Sequence, residues 1–378
     1  MTSVPRPSEA PRTPLERDAL AFRADLAREE ARALRQMALA MRSLLDRLDD
    51  RLISVGNRVA RQAAAGRVSP GAVVELGEFL ALRQEAERLL TGYAQGVEAQ
   101  TAALQRRRIE QALTHTRQLA ERALPPGLTF ERLARLGISW ATIDPVALEY
   151  MVGRMRDGTS LRAYLGARVV NGTIDRMVET LTTGIVDNPR ITARALRQTF
   201  AGGAVQAMRV ARTETLRAYR DAARASYQRN SRVVKGYRRV ASLDDRTCAA
   251  CWILDGTLYE SSGDMDEHVQ GRCFTVPETV TWRELGLRGP EVERGPTGAE
   301  RFRDLPPDRQ RAIIGNNRQA DAFLSGRIGL ADLVQRHRHP TFGGQFVQAS
   351  ARASLAGEGL ARLPSPLVAL QSGADLTR

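Results

Sequence analysis

From Leu15 to Arg61 the chain has no proline, and no glycine before Gly56. Leu34, Met37, Met41, Leu44, Leu48, Leu52, Val55 and Val59 recur at spacings of three and four, the pattern of one helix face. This predicts a single long amphipathic helix. Ala65 to Gly71 interrupts it, and Ser69 before Pro70 reads as an N-cap with a first-turn proline. A second helix then runs toward Leu124, with Leu90, Tyr93, Val97 and Leu104 on its seam, and stops before Pro125-Pro126. Two helices of about 45 residues predict an antiparallel hairpin ~65 Å long. Such a hairpin either closes against its own chain or acts as a coiled-coil-like stalk that docks on a partner or self-associates. With 43% hydrophobic but only 5% aromatic residues, the composition suits aliphatic helix packing and argues against all-β and wholly disordered chains.

The expected organisation is a disordered stretch at 1–14, the hairpin at 15–124, a mixed domain at 125–288, a linker at 289–300, a helical segment at 301–340 and a flexible tail at 341–378. Within the mixed domain, Asp144-Pro145 and Asp187-Asn188-Pro189 mark boundaries between short helices. A longer helix is expected from about Ala204 to Gln228, and a strand over Arg232 to Val240. No secretory signal is read at the N-terminus, and no stretch approaches 18 uninterrupted apolar residues, so a soluble chain with no membrane partner is expected.

Cys248 and Cys251 form a CxxC pair, followed by His268 and Cys273, and these are all the cysteines of the chain. Two thiolates two residues apart can reach one tetrahedral ion, and a His and a Cys from a later loop complete a Cys₃His zinc site within the turn-rich segment 244–277. Unconnected thiols and a CxxC redox pair are the alternatives. Four protein ligands leave no open position for an activated water, so the zinc reads as structural. Glu267 directly precedes His268, which is not the HxE arrangement of zinc deaminases, and no HExxH is present. No catalytic constellation emerges, and the chain is not expected to be an enzyme.

The formal net charge of +13 rests almost wholly on arginine, since Lys235 is the only lysine. On a helix, Arg209, Arg212, Arg217, Arg220 and Arg224 share one face, opposite Ala211, Ala218, Ala222 and Ala225. That face is a candidate for sequence-independent contact with double-stranded DNA phosphates. From Leu254 to Glu300 the sign reverses, so an internal or protein-protein electrostatic contact is the competing reading.

Val210-Ala211-Arg212-Thr213-Glu214, Asp245-Arg246-Thr247-Cys248-x2-Cys251, Leu254-Asp255-Gly256 and His268-x2-Gly271-Arg272-Cys273 together resemble the head-morphogenesis domain of the Mu-type (F-like) minor head proteins of tailed phages. Leu305-Pro306-x3-Gln310 through Gly315, Phe323 to Gly326 and Leu330-x-Asp332-Leu333 are similar to that family's C-terminal helical segment. The chain departs from the pattern at Gly271, where the family usually has a cysteine, which leaves Cys273 as the expected fourth ligand.

The resemblance implies a mainly α protein. Joined to the long N-terminal helical hairpin read from the seam periodicity, this gives an α+β head-morphogenesis domain with a small zinc-stabilised β element and a helical C-terminal extension. It further implies a structural virion protein in the phage head interior or at the portal, present in the host cytoplasm during assembly. Portal, capsid or scaffold proteins would be its partners and DNA a secondary one. In family terms Arg212, Thr213, Glu214, Asp245, Arg246 and Thr247 are structural motif residues, and Glu214 is expected to pair with Arg217 or Arg246. The rival is a zinc-bearing nucleic-acid-binding or nuclease/effector module.

Overall fold

A computed structural model describes residues 12–64, 77–183, 189–290, 292 and 294–360. Ser69-Pro70, Asp187-Asn188, residues 1–11 of the expected disordered stretch and 361–378 of the expected tail lie outside them. The described chain is mainly helical with a small antiparallel sheet. No described helix is long and apolar enough to cross a membrane.

Helices α1 (Pro14–Ala64) and α2 (Gly77–Ala123) are the two predicted from the seam periodicity. Short elements follow, α3 (Phe130–Arg135), a 3-10 turn (Pro145–Met151), α4 (Leu161–Leu165), a π turn (Gly166–Asn171) and α5 (Gly172–Thr183). Pro145 opens one of them, as Asp144-Pro145 suggested. The long helix α6 (Pro189–Arg229) begins fifteen residues before the expected Ala204. Gly202-Gly203 reads as a break, yet the helix runs through it. A Cβ on Gly203 would come within 2.5 Å of Thr173 Oγ1, so the glycine serves a close approach of α6 to α5.

Residue contacts divide the chain into two compact units, and the boundary does not fall at residue 124. Among the described residues the second unit, Ala27–Arg106 with Tyr150–Thr215, is helical apart from the turn segment 152–160. Its core holds Met37, Leu48 and Leu52 of α1, Phe79, Leu82 and Leu90 of α2, and Leu196, Phe200 and Val210 of α6, all at most 1% exposed. The first unit takes Met1–Leu26, Arg107–Glu149 and Leu216–Arg378. The ends of the expected hairpin belong there because they pack there: Phe22 of α1 stacks on His115 of α2 at 3.9 Å between ring centroids. Arg12, at the edge of the expected disordered stretch, is anchored through Nη2 on the Ala241 carbonyl (2.7 Å) and through Nη1 on the Asp255 carboxylate (3.1 Å).

The sheet of the first unit has the order β2 (Leu258–Glu260), β1 (Val234–Val240), β3 (Phe274–Thr279), all antiparallel. Tyr237 faces Tyr259 on one side and Pro277 on the other, and Val240 pairs with Phe274. Tyr219 from the second half of α6 packs on Phe274 at 4.6 Å. Past the sheet lie α7 (Ala249–Ile253), α8 (Gly298–Arg303), α9 (Pro307–Ile314) and α10 (Asn317–Leu324). Thr297 and Glu300 form a reciprocal capping box at the start of α8, inside the expected linker.

The expected helical segment and flexible tail need correction. Residues 331–333 make a 3-10 turn, and β4 (Val334–His339) pairs with β5 (Gly343–Gln348) as an antiparallel hairpin, followed by α11 (Ala351–Leu355). Gly343 supplies the left-handed turn residue (φ +73°), and a Cβ on Gly344 would come within 3.1 Å of the Asp266 carboxylate. These glycines read as flexibility in sequence but serve a turn and a close approach.

Candidate metal centre

α7 carries the CxxC pair on a single turn, with Cys248 as its N-cap residue in extended conformation and its thiol not used for capping. The preceding turn is closed by side chains. Thr247 Oγ1 donates to Asp244 Oδ1 (2.8 Å) and accepts from the Asp244 amide (3.0 Å). Arg272, between His268 and Cys273, reaches back with Nη1 to Asp244 Oδ2 at 2.6 Å, tying the two ligand-bearing segments together. Burial of Asp244 opposes ionisation, but hydrogen bonds from Arg272 and Thr247 outweigh it and hold the carboxyl down to about 2.

Three predicted ligands converge. Cys248 Sγ and Cys251 Sγ lie 3.6 and 3.2 Å from His268 Nε2. His268 Nδ1 faces the Val269 carbonyl oxygen at 2.9 Å, so a proton on Nδ1 is donated there and Nε2 faces the thiols, where its lone pair is free for an ion once Nε2 is deprotonated. Cys273 falls in a second, overlapping triad with Cys251 and Glu267, whose ligand atoms also lie within 4.8 Å of one another. A Cys/His group of this compactness could hold a metal ion. Without one, the hydrogen bond with Cys251 and then the contact with His268 lower the Cys248 thiol to about 4. Hydrogen bonds to Cys248 and Cys273 push Cys251 well up. Burial works to lower His268, but its hydrogen bond with Cys248 and the charge of Glu267 raise it to about 9.

Two residues of this centre escaped the sequence reading. Glu267 is buried, and Arg239 of β1 is fully buried and pairs with Glu267 Oε2. Burial alone would raise the Glu267 carboxyl, but Arg239 keeps it lowered. The only clue to Arg239 was its place in a predicted strand, since a strand covered on both faces buries even its cations. The three non-glycine residues with left-handed φ among the described residues, Leu243, Asp266 and Gln270, each sit just before a segment of this centre. Such conformations cost about 1–3 kcal/mol each and persist where surrounding contacts over-determine them.

The other motif residues are placed as follows. Asp255 is buried, accepts from the Ala241 amide at 2.7 Å and pairs with Arg301 at 2.7 Å. Asp245 pairs with Arg309 of α9 at 3.3 Å, and Arg246 with Asp244 at 3.7 Å. Gln348 of β5 accepts from the Ala249 amide of α7 at 3.2 Å. Val210 to Thr215 belong to the second unit, where Thr213 bonds back to the Arg209 carbonyl (2.7 Å) and Glu214 is fully buried.

Of the five candidate DNA-binding arginines, Arg209 is exposed and the rest are half-buried. Arg212 pairs with Glu30 at 2.8 Å and Arg217 with Asp221 at 2.9 Å. Arg224 pairs with Asp221 and Asp264, both at 3.3 Å, and Arg220 approaches the Gly271 carbonyl at 3.5 Å. Arg224 with Asp264, Arg238 with Glu278 and Arg239 with Glu267 join the basic run to the acidic segment after it, the internal contact set out as the competing reading. No protein-family model, curated protein or solved structure matches this chain.

Proposed function

We propose that the protein is a structural minor head protein of a tailed phage, acting at the portal or inner capsid surface in head assembly and DNA packaging or delivery. It is not an enzyme in this reading. A structural zinc ion sits on Cys248, Cys251 and His268, with a fourth donor from the segment ending at Cys273. Portal and capsid or scaffold proteins are its partners. Genome DNA is secondary, because four of the five arginines of the candidate face already have partners or close contacts within the protein.

The observation that carries this reading is the convergence of fragments that are each weak in sequence. The Asp244–Cys251 turn, Leu254-Asp255-Gly256, the His268–Cys273 loop and the segment after Leu305 pack as one body, joined by Arg272 on Asp244, Arg301 on Asp255 and Arg309 on Asp245. Packing of these segments into one body supports reading them together as parts of one domain. The test is to co-express the tagged full chain with the portal and major capsid proteins encoded beside it and to isolate particles on a density gradient. The reading predicts co-sedimentation in a low, fixed ratio to portal. A protein found only at the top of the gradient, or neighbouring genes encoding neither portal nor terminase, would overturn it.

A further inference from the structure

Gly271 does not need glycine for its backbone, because its φ lies outside the left-handed region; it needs glycine for space. A Cβ there would overlap the Glu267 carboxylate, which lies in the position a side chain at 271 would take. Arg239 holds Oε2 of that carboxylate, which aims Oε1 at the cysteine and histidine cluster. Oε1 lies 3.8 Å from Cys251 Sγ and 3.6 Å from His268 Nε2.

Metal–ligand bonds of about 2.0–2.3 Å place the donors of a tetrahedral ion about 3.3–3.8 Å apart. Four of the six separations in the set Cys248, Cys251, His268 and Glu267, namely Cys248–His268, Cys251–His268, Cys251–Glu267 and His268–Glu267, run from 3.2 to 3.8 Å, close to those edges, and Glu267 also groups with Cys251 and Cys273 within 4.8 Å. We propose that Glu267, through Oε1, is the fourth ligand of the ion, giving a Cys₂HisGlu set of Cys248, Cys251, His268 and Glu267, with Cys273 outside the shell as a thiol. This rests on the metal reading above and changes its donor set.

Charge favours the same assignment. Two thiolates and a carboxylate around a divalent cation leave one negative charge, and Arg239, itself fully buried, cancels it from the outer carboxylate oxygen. A third thiolate with Glu267 still ionised would leave that site negative.

X-ray absorption at the zinc edge, on the full chain carrying one zinc, decides the donor count. The expected shell has two sulfurs and two lighter donors in the wild type, unchanged in Cys273→Ser, whose competition-measured zinc affinity stays within about twofold. Glu267→Gln is expected to weaken binding beyond the ~10–100-fold typical of losing an outer-shell partner. If that variant fails to fold, the wild-type and Cys273→Ser spectra still decide. Three sulfurs in the wild type falling to two in Cys273→Ser would hand the fourth position to Cys273 and remove Glu267, with the metal reading intact. Failure of the wild type to bind either zinc or cobalt(II) stoichiometrically would sink both.

Discussion

Arg239→Leu is the perturbation that asks most of the first unit. Arg239 and Glu267 are 0% and 2% exposed in their side chains, so removing the guanidinium strands an ionised carboxylate with almost no access to water. Breaking a buried pair from one side costs about 3–5 kcal/mol, whereas replacing both partners by apolar residues is often near neutral. With chelator present, Arg239→Leu should therefore lower stability by about 3–5 kcal/mol, and Arg239→Leu with Glu267→Leu should recover most of that loss. Urea unfolding followed by tryptophan fluorescence reads the right body, since Trp140, Trp252 and Trp282 all belong to the first unit. With Glu267 as the proposed ligand, an added divalent cation would face the stranded carboxylate, so zinc should shrink the single variant's deficit. A deficit below about 1 kcal/mol, or a double variant no better than the single, would refute the claim that this pair is a desolvated charge pair.

Asp244 is ionised in the folded protein down to about 2, so its clamp on Arg272 contributes stability above the ordinary carboxylate range that is lost as pH falls through that value. Asp244→Asn should remove the acid-side dependence and cost about 1 kcal/mol near neutrality after solvent screening, read from urea midpoints across pH. Gly202→Ala, with nothing within 4 Å of the new Cβ, should stabilise α6 by up to about 1 kcal/mol, while Gly203→Ala should gain nothing or lose up to about 2 kcal/mol against Thr173; helical circular dichroism during denaturation separates the two. Chelator or Cys251→Ala should open the 244–277 loop to protease while leaving helical circular dichroism nearly unchanged, and equal resistance with and without chelator would count against a structural ion.

The long helices and the convergence of Cys248, Cys251 and His268 were legible because they depend on local spacing: a seam every three or four residues, and two thiols on one turn. What was illegible depends on contacts between distant segments. Arg239 reads as one more cation in a basic run, and only the covering of β1 on both faces makes it a buried counter-charge. Glu267 carries no spacing signal, and its place is set by the absence of a side chain at Gly271. The β4–β5 hairpin was missed because its glycines serve a turn and a close approach to Asp266, which composition cannot distinguish from a loose tail. The domain boundary at 124 failed for a related reason, since the sequence shows where a helix ends but not which part of it packs with which partner.

The anchoring of Arg12 on Asp255 sets an order of events during synthesis. The two residues are 243 positions apart, and at about 5–20 residues per second the partner of Arg12 emerges roughly 12–50 s after it. Along the sequence the second unit's segments alternate with those of the first, and it has all its residues once Thr215 has been made. The helical unit can therefore form while the polypeptide is still growing, whereas the body that carries the candidate metal centre must wait for residues near the far end. Until then its early pieces, including the first turns of α1, hold apolar surface with nowhere to put it, and this interval is when chaperones would have most to bind.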